Sequence, residues 1–197
     1  MNGLSVDQNM IGAIAARLDL RAPNQDALES VATAISLHYD KHQKLPPFEG
    51  VVDVATGVGK TFVMAGAIEY FAAQGHRNFA VVAPSATILR KTLRNFTQGD
   101  AKSLLSGMDV RPEVITSETF DSPLAAFQMD DEESIKVYVF TVQSLIKPTS
   151  KQGRRTHEFR ESFGDAFYQR LTEAEDLIIF ADEHHSYYGG SFSKAIR

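Results

Sequence analysis

Val51-Val52-Asp53-Val54-Ala55-Thr56-Gly57-Val58-Gly59-Lys60-Thr61 is the stretch on which the reading of this chain turns. Its apolar start reads as a buried strand, its middle as a glycine-punctuated turn, and Lys60 as the opening of a helix running to about Ala73. Strand, turn and helix in that order form a cradle for phosphate. Gly57 and Gly59 allow positive φ and leave no Cβ in the way of an anion. Successive backbone N–H groups then converge, and the helix N-terminus adds a partial positive charge. Lys60 can reach the β- and γ-phosphates of a nucleotide, and the Thr61 hydroxyl can sit on Mg²⁺. The strict G-x-x-x-x-G-K-[ST] pattern puts glycine at position 54, where this chain has Val54. The cradle amides come from residues 57–61, so a tight fit is expected there rather than loss of binding.

A triphosphate cradle needs a second carboxylate source for the metal and a group that orients water. Leu177-Ile178-Ile179-Phe180-Ala181-Asp182-Glu183-His184-His185 supplies both. An apolar strand would deliver Asp182 and Glu183 at its C-terminal end, where ligands sit in open α/β sheets. Asp182 is expected to hold Mg²⁺ from the side opposite Thr61, and Glu183 to accept a proton from the attacking water. A zinc site at His184-His185 is disfavoured by the missing H-E-x-x-H spacing and the absence of cysteine. His38 and His42, at i, i+4, find no third ligand nearby and read as surface histidines.

Between and around these motifs the periodicity alternates. Residues 9–18 and 26–39 have helical spacing, the second with a stripe of Leu28, Val31, Ala32, Ile35 and Leu37/Tyr39. Pro23 suits a helix start, and Pro46-Pro47 ends this helical preface. The helix after the cradle is apolar nearly all round and therefore buried, with Gln74-Gly75 as its stop. Phe79–Ala83 is a short apolar run, Ser85 can cap a helix to about Phe96, and Glu113–Thr116, Lys136–Thr141 and Leu177–Ala181 are further strands. Strands alternating with helices predict a parallel α/β sheet with right-handed crossovers. Met129–Ser134 reads as an acidic solvated turn; Lys147–His157 reads as a basic connector that could touch a phosphate backbone.

The totals narrow the class. A chain of 197 residues can bury a real core, and a formal charge of −5 shows no global basic field for nucleic acid. With no cysteine it has neither disulfides nor thiolate metal sites and suits a reducing cytoplasm. The N-terminus lacks a secretion signal, and no run of about 18 apolar residues occurs, so no membrane partner is expected.

Thr56-Gly57-Val58-Gly59-Lys60-Thr61 together with Asp182-Glu183-His184-His185 resembles motifs I and II of superfamily 2 helicases in the D-E-x-H form. The surrounding residues are similar to the Res subunit of type III restriction enzymes and to related DEAD/DEAH helicase-like proteins. The resemblance spans about Leu20 to Arg197. It implies a RecA-like P-loop NTPase domain: an α-helical segment over 1–47 and an ATP-binding lobe over 48–197. Thr56, Gly57, Val58, Gly59, Lys60 and Thr61 would then bind ATP, Thr61 and Asp182 the Mg²⁺, with Lys60 and Glu183 catalytic. Leu20-Arg21-Ala22-Pro23-Asn24-Gln25 resembles an L-R-x-x-Q segment whose glutamine reads adenine, which nominates Gln25. Val82-Ala83-Pro84-Ser85 is similar to motif Ia, and Phe140-Thr141-Val142-Gln143-Ser144 to a later backbone-touching motif. Ser85, Thr87 and Gln143, with Arg90 and Arg94 on one helix face, become expected nucleic-acid contacts.

Motifs III to VI, the second RecA-like lobe and its arginine finger have no counterpart before Arg197. A fragment, a truncated product, or a first lobe completed by another chain is expected. The resulting expectation is the first lobe of a DNA helicase or translocase, cytoplasmic, partnered by DNA, a second lobe and a methyltransferase or specificity subunit. Beside it stand a nucleotide-binding interaction module that has lost its motor half, a different P-loop enzyme such as a small-molecule kinase, and an RNA rather than DNA track.

Overall fold

The computed structural model describes residues 6–41, 48–54, 59–116, 118–120, 122–141 and 169–182. The chain divides into two compact units, Met1–Gly75 with Ala101–Val110, and His76–Asp100 with Arg111–Arg197.

The first unit is helical. Asp7 caps α1 (Gln8–Arg17), its carboxylate accepting from the Met10 N–H at 3.0 Å. Ile11, Ile14, Ala15 and Leu18 bury one stripe at helical spacing. In α2 (Ala22–Lys41) the buried face is Asn24, Leu28 and Ala32. Leu37, expected in that stripe, is 49% exposed, because at about 3.6 residues per turn it lies opposite Leu28. Tyr39, also assigned to the stripe, is exposed at the margin of the helix. The third helix, α3 (Lys60–Ala73), is buried continuously from Val63 to Ala72, as its all-round apolarity predicts. Gly66 is where the three helices close on each other. A Cβ there would stand 3.1 Å from Leu28 Cδ2 and 3.4 Å from Ile14 Cγ2.

One residue of α3 departs from that apolar character. Glu69 is 3% exposed, and its Oε1 takes a charge-assisted bond from Arg17 of α1 and another from the Asp109 N–H at 3.3 Å. Arg17 Nη2 also lies 3.1 Å from Asp109 Oδ2, so the guanidinium ties α1, α3 and the 101–110 segment together.

The expected strand at Val51–Val54 is not formed. These residues enter no ladder, and Val51 and Val52 are 66% and 47% exposed. An apolar run becomes a strand only where a neighbouring edge satisfies its N–H and C=O groups, and composition does not reveal that edge.

The second unit is a parallel sheet with helices. It contains β1 (Asn78–Ala83), α4 (Ala86–Asn95), β2 (Glu113–Thr116), α5 (Pro123–Asp130), β3 (Lys136–Thr141) and β4 (Ile178–Ala181). The strands lie in the order β2-β3-β1-β4, all pairs parallel, with Asn78 opposite Lys136 and Phe79 opposite Ile178. The interior strands β1 and β3 are almost wholly buried, whereas β4 on the edge alternates between half-buried and exposed. Ala80, Val82, Tyr138 and Phe140 share one face, which packs with Ile115, Phe120, Ala125 and Leu171. The four strand positions agree with the sequence reading to within a residue. Helix α5 was not foreseen, although Ser122 and Pro123 carry its start signal: the Ser122 hydroxyl accepts from the Ala125 N–H at 3.0 Å.

The N-terminal ends of the strands are fastened by two polar groups. Asp176 accepts from the Arg77 N–H, from the Asn78 N–H at 3.2 Å and from Asn78 Nδ2 at 2.6 Å, joining the approach to β4 to the start of β1. Lys136, 3% exposed, donates through Nζ to the carbonyls of Asp131 and Ser134. The acidic turn after α5 is therefore anchored through its backbone while Asp131, Glu132 and Glu133 stay exposed.

Two expectations follow from these contacts. Replacing Arg17 with alanine leaves Glu69 buried without its cation and should cost up to about 3 kcal/mol, the solvent-facing side of Arg17 reducing the full penalty. The double change R17M/E69L should recover most of that loss in a denaturant titration; a double variant as unstable as the single one contradicts it. For Asp176, burial acts to raise the carboxyl pKa, but the hydrogen bonds from Arg77 and Asn78 outweigh it and hold the group below its ordinary value. Its stabilising contribution is present above the unfolded carboxyl pKa of about 3.9 and fades as pH falls through the lowered folded value. The stability gap between the wild type and Asp176→Asn, measured from pH 7 downwards, should therefore narrow on acidification.

Candidate functional site

The described end of the expected phosphate cradle, Gly59 to Thr61, lies in the first unit. Gly59 is the N-cap of α3 and has φ 102° and ψ 48°, the left-handed region expected of it. Its carbonyl accepts from the N–H groups of Phe62 at 2.9 Å and Val63 at 3.4 Å, which starts the helix immediately after the turn. Lys60 and Thr61 occupy the first turn and are half-buried. A helix start carries N–H groups with no intrahelical acceptor and the positive end of the helix dipole, the electrostatics an anion requires. A Cβ on Gly59 would lie 3.1 Å from Asn24 Nδ2 and 3.3 Å from Phe62 Cδ2. Glycine is thus favoured at 59 by its backbone angle, and a Cβ there would press on both neighbours.

Gln25 stands in the first turn of α2, its N–H donating to the Arg21 carbonyl at 3.0 Å. The residue before it, Asn24, is buried against Gly59. The sequence reading missed Asn24; the available signal was a polar residue continuing the Leu28–Ala32 stripe back by one turn.

In the second unit, Asp182 follows β4 at the C-terminal end of the parallel strands. Its N–H donates to the Val82 carbonyl at 3.1 Å, extending the β1–β4 pairing past Ala181. Ser85 lies just beyond the same end of β1. There the Ser85 hydroxyl caps α4 by accepting from the Ile88 N–H at 3.4 Å. Thr87, Arg90 and Arg94 of α4 are exposed. Arg94 has a fork-shaped pairing with Asp100, Nε to Oδ2 at 2.9 Å and Nη2 to Oδ1 at 3.3 Å, which raises its already high pKa. Its guanidinium is therefore already engaged within the unit, while its outer face remains in solvent. A cleft of about 320 Å³ lined by Arg77, Lys136, Arg170 and Asp176 lies at the opposite end of the strands, away from the end where open α/β sheets take ligands. Burial, and then Arg170, push the Lys136 ammonium below its ordinary pKa in that cleft. Thr56, Gly57, Val58, Glu183, Gln143, His42, His184-His185 and the basic Lys147–His157 stretch lie outside the described residues.

The description "Type III restriction enzyme, res subunit" matches residues 17–197. The chain belongs to that family. No curated protein and no solved structure is significantly similar to it. As a res-family chain it is a helicase-like lobe of RecA type, and its parallel sheet with flanking helices fits that class. Among the described residues no helix is long and apolar enough to cross a membrane.

Left-handed geometry at Gly59 has a measurable consequence. Gly75 also has positive φ, 104°, but a Cβ there meets nothing within 4 Å. Each Gly→Ala change should cost about 1–2 kcal/mol for the backbone alone. Gly59→Ala should cost distinctly more in a thermal melt, because Asn24 and Phe62 must also move. Equal losses at the two positions would contradict the packing described here.

Proposed function

We propose that this chain is the ATP-binding first lobe of a superfamily 2 DNA helicase or translocase of the type III restriction kind. The observation that carries this reading is a res-family match over residues 17–197 whose motif I lysine and threonine stand directly after a left-handed Gly59 at the N-terminus of a buried helix. In this reading Lys60 neutralises charge on the β- and γ-phosphates and Thr61 offers its hydroxyl to Mg²⁺. Asp182, at the C-terminal end of its strand, is the proposed Mg²⁺ carboxylate, and Glu183 takes the proton of the attacking water. Gln25, in the first turn of α2, reads the adenine edge through its amide. Bound ATP–Mg²⁺ would supply the phosphoryl-transfer chemistry that a translocase couples to movement.

For the nucleic acid, Ser85, Thr87, Arg90, Arg94 and Gln143 are the proposed backbone contacts, with duplex DNA as the track. The capping bond of Ser85 occupies its hydroxyl oxygen as an acceptor and leaves the O–H able to donate to a phosphate. A second RecA-like lobe supplying an arginine finger, and a methyltransferase or specificity subunit, are the proposed partners.

The test is nucleotide binding followed by turnover. The chain should bind a non-hydrolysable ATP analogue in the presence of Mg²⁺, and Lys60→Ala should abolish most of that affinity. Hydrolysis by this chain alone should run roughly 10³–10⁵-fold below the rate reached when an arginine finger is present. Failure of the wild-type chain to bind the analogue, or unchanged binding by Lys60→Ala, would overturn the reading.

A further inference from the structure

Asn24 occupies a position that packing alone would give to an apolar residue. It precedes Leu28 by four residues and so lies on the same face of α2, and both are buried, at 2% and 0% exposure. Leu28 meets Gly66 of α3, and Asn24 meets Gly59, the N-cap of α3, with closest approaches of 3.1 Å to the position a Cβ would take. Gly59 and Gly66 are two helical turns apart, so the two contacts form one seam between α2 and α3. At the Gly66 end the seam is hydrocarbon. At the Gly59 end a primary amide is buried instead, at a desolvation cost that leucine would not carry.

Resting on the nucleotide-binding reading above, we infer that Asn24 is a positioning residue for the phosphate site, its buried amide holding Gly59 in the left-handed conformation that aims the start of α3 at the phosphates. The Asn24 backbone is itself fixed, its N–H donating to the Arg21 carbonyl at 2.8 Å in the first turn of α2. A side chain with few rotamers on a fixed backbone can restrain a neighbouring glycine, whose own φ is otherwise free to change sign. The polar character of Asn24 is what distinguishes this role from filling space: an amide can direct a backbone peptide, and a methyl group cannot.

The experiment uses the full chain and two ligands, an ATP analogue with Mg²⁺ and inorganic triphosphate with Mg²⁺, titrated calorimetrically. Asn24→Leu keeps the volume and burial, and its melting temperature without ligand should equal or exceed that of the wild type. Its affinity for both ligands should fall by the same factor, roughly three- to tenfold, as expected when a contact that orients the site is lost rather than one made to the ligand. Asn24→Ser is the second variant, retaining a small polar group should the leucine variant not fold, and should show the same parallel loss. Unchanged affinity for both ligands in a folded variant overturns the role of Asn24 and leaves the nucleotide reading standing. A loss confined to the ATP analogue also overturns it, since the effect would then pass through the adenine contact of Gln25. Wild-type chain that binds neither ligand removes the nucleotide reading and this inference together.

Discussion

A helix buried along ten consecutive residues leaves no room for error in what surrounds it. From Val63 to Ala72, α3 keeps no solvent face, so its neighbours must approach as closely as its smallest residues allow. Gly66 sets that approach at the middle of the helix, where Leu28, Ile14 and Leu20 crowd the space a side chain would fill. Gly59 sets it at the N-terminus, where the chain must also turn through the left-handed region. Because interiors are close-packed, fixing these two points fixes the direction in which the first turn of α3 faces. Lys60 and Thr61 are carried on that turn, so the same packing that buries the helix aims the proposed phosphate site.

Charge is used sparingly and structurally in both units. In the helical unit Glu69 accepts from Arg17 and from backbone, converting an apolar helix contact into one with a defined register between α1 and α3. In the sheet unit Asp176 and Lys136 work at the beginnings of strands rather than at their ends. Asp176 gathers the N–H groups that start β1, and Lys136 gathers the carbonyls of the turn leading into β3. Parallel strands cannot be joined by tight hairpins, so their starting ends arrive separately and need such fasteners to hold register. The opposite ends carry Asp182 and the Ser85 cap, both among the proposed site residues.

The res family supplies the frame of a helicase-like lobe of RecA type in which these pieces are read. Phosphoryl transfer asks little covalent chemistry of a protein; it asks for rigid donors and charges in the right directions. In the first unit the proposed Lys60 and Thr61 stand on a helix buried along its length, and in the second the proposed Asp182 stands at the end of a strand. The α4 helix adds an exposed row of Thr87, Arg90 and Arg94 on the same unit as Asp182. Asp100 braces one end of that row through Arg94, which limits how far that guanidinium can swing toward a partner.

Local chemistry in the sequence determines much of this. The four strands of the sheet, the α4 cap at Ser85 and the need for positive φ at Gly59 all follow from short-range rules of sterics, capping and apolar runs. The sequence also sets Gly-Lys-Thr and Asp-Glu in one chain, on which the proposed nucleotide site rests. What only the tertiary structure decided are the matters that depend on a distant neighbour. Val51–Val54 looks like a strand by composition yet has no ladder, because pairing requires an edge that sequence does not display. Leu37 looks apolar and ends on the outer side of its helix. Asn24 looks like a solvent-facing residue near a helix start and is instead buried against Gly59, because the crossing of α2 over α3, fixed by glycines in one and side chains in the other, brings the two positions together.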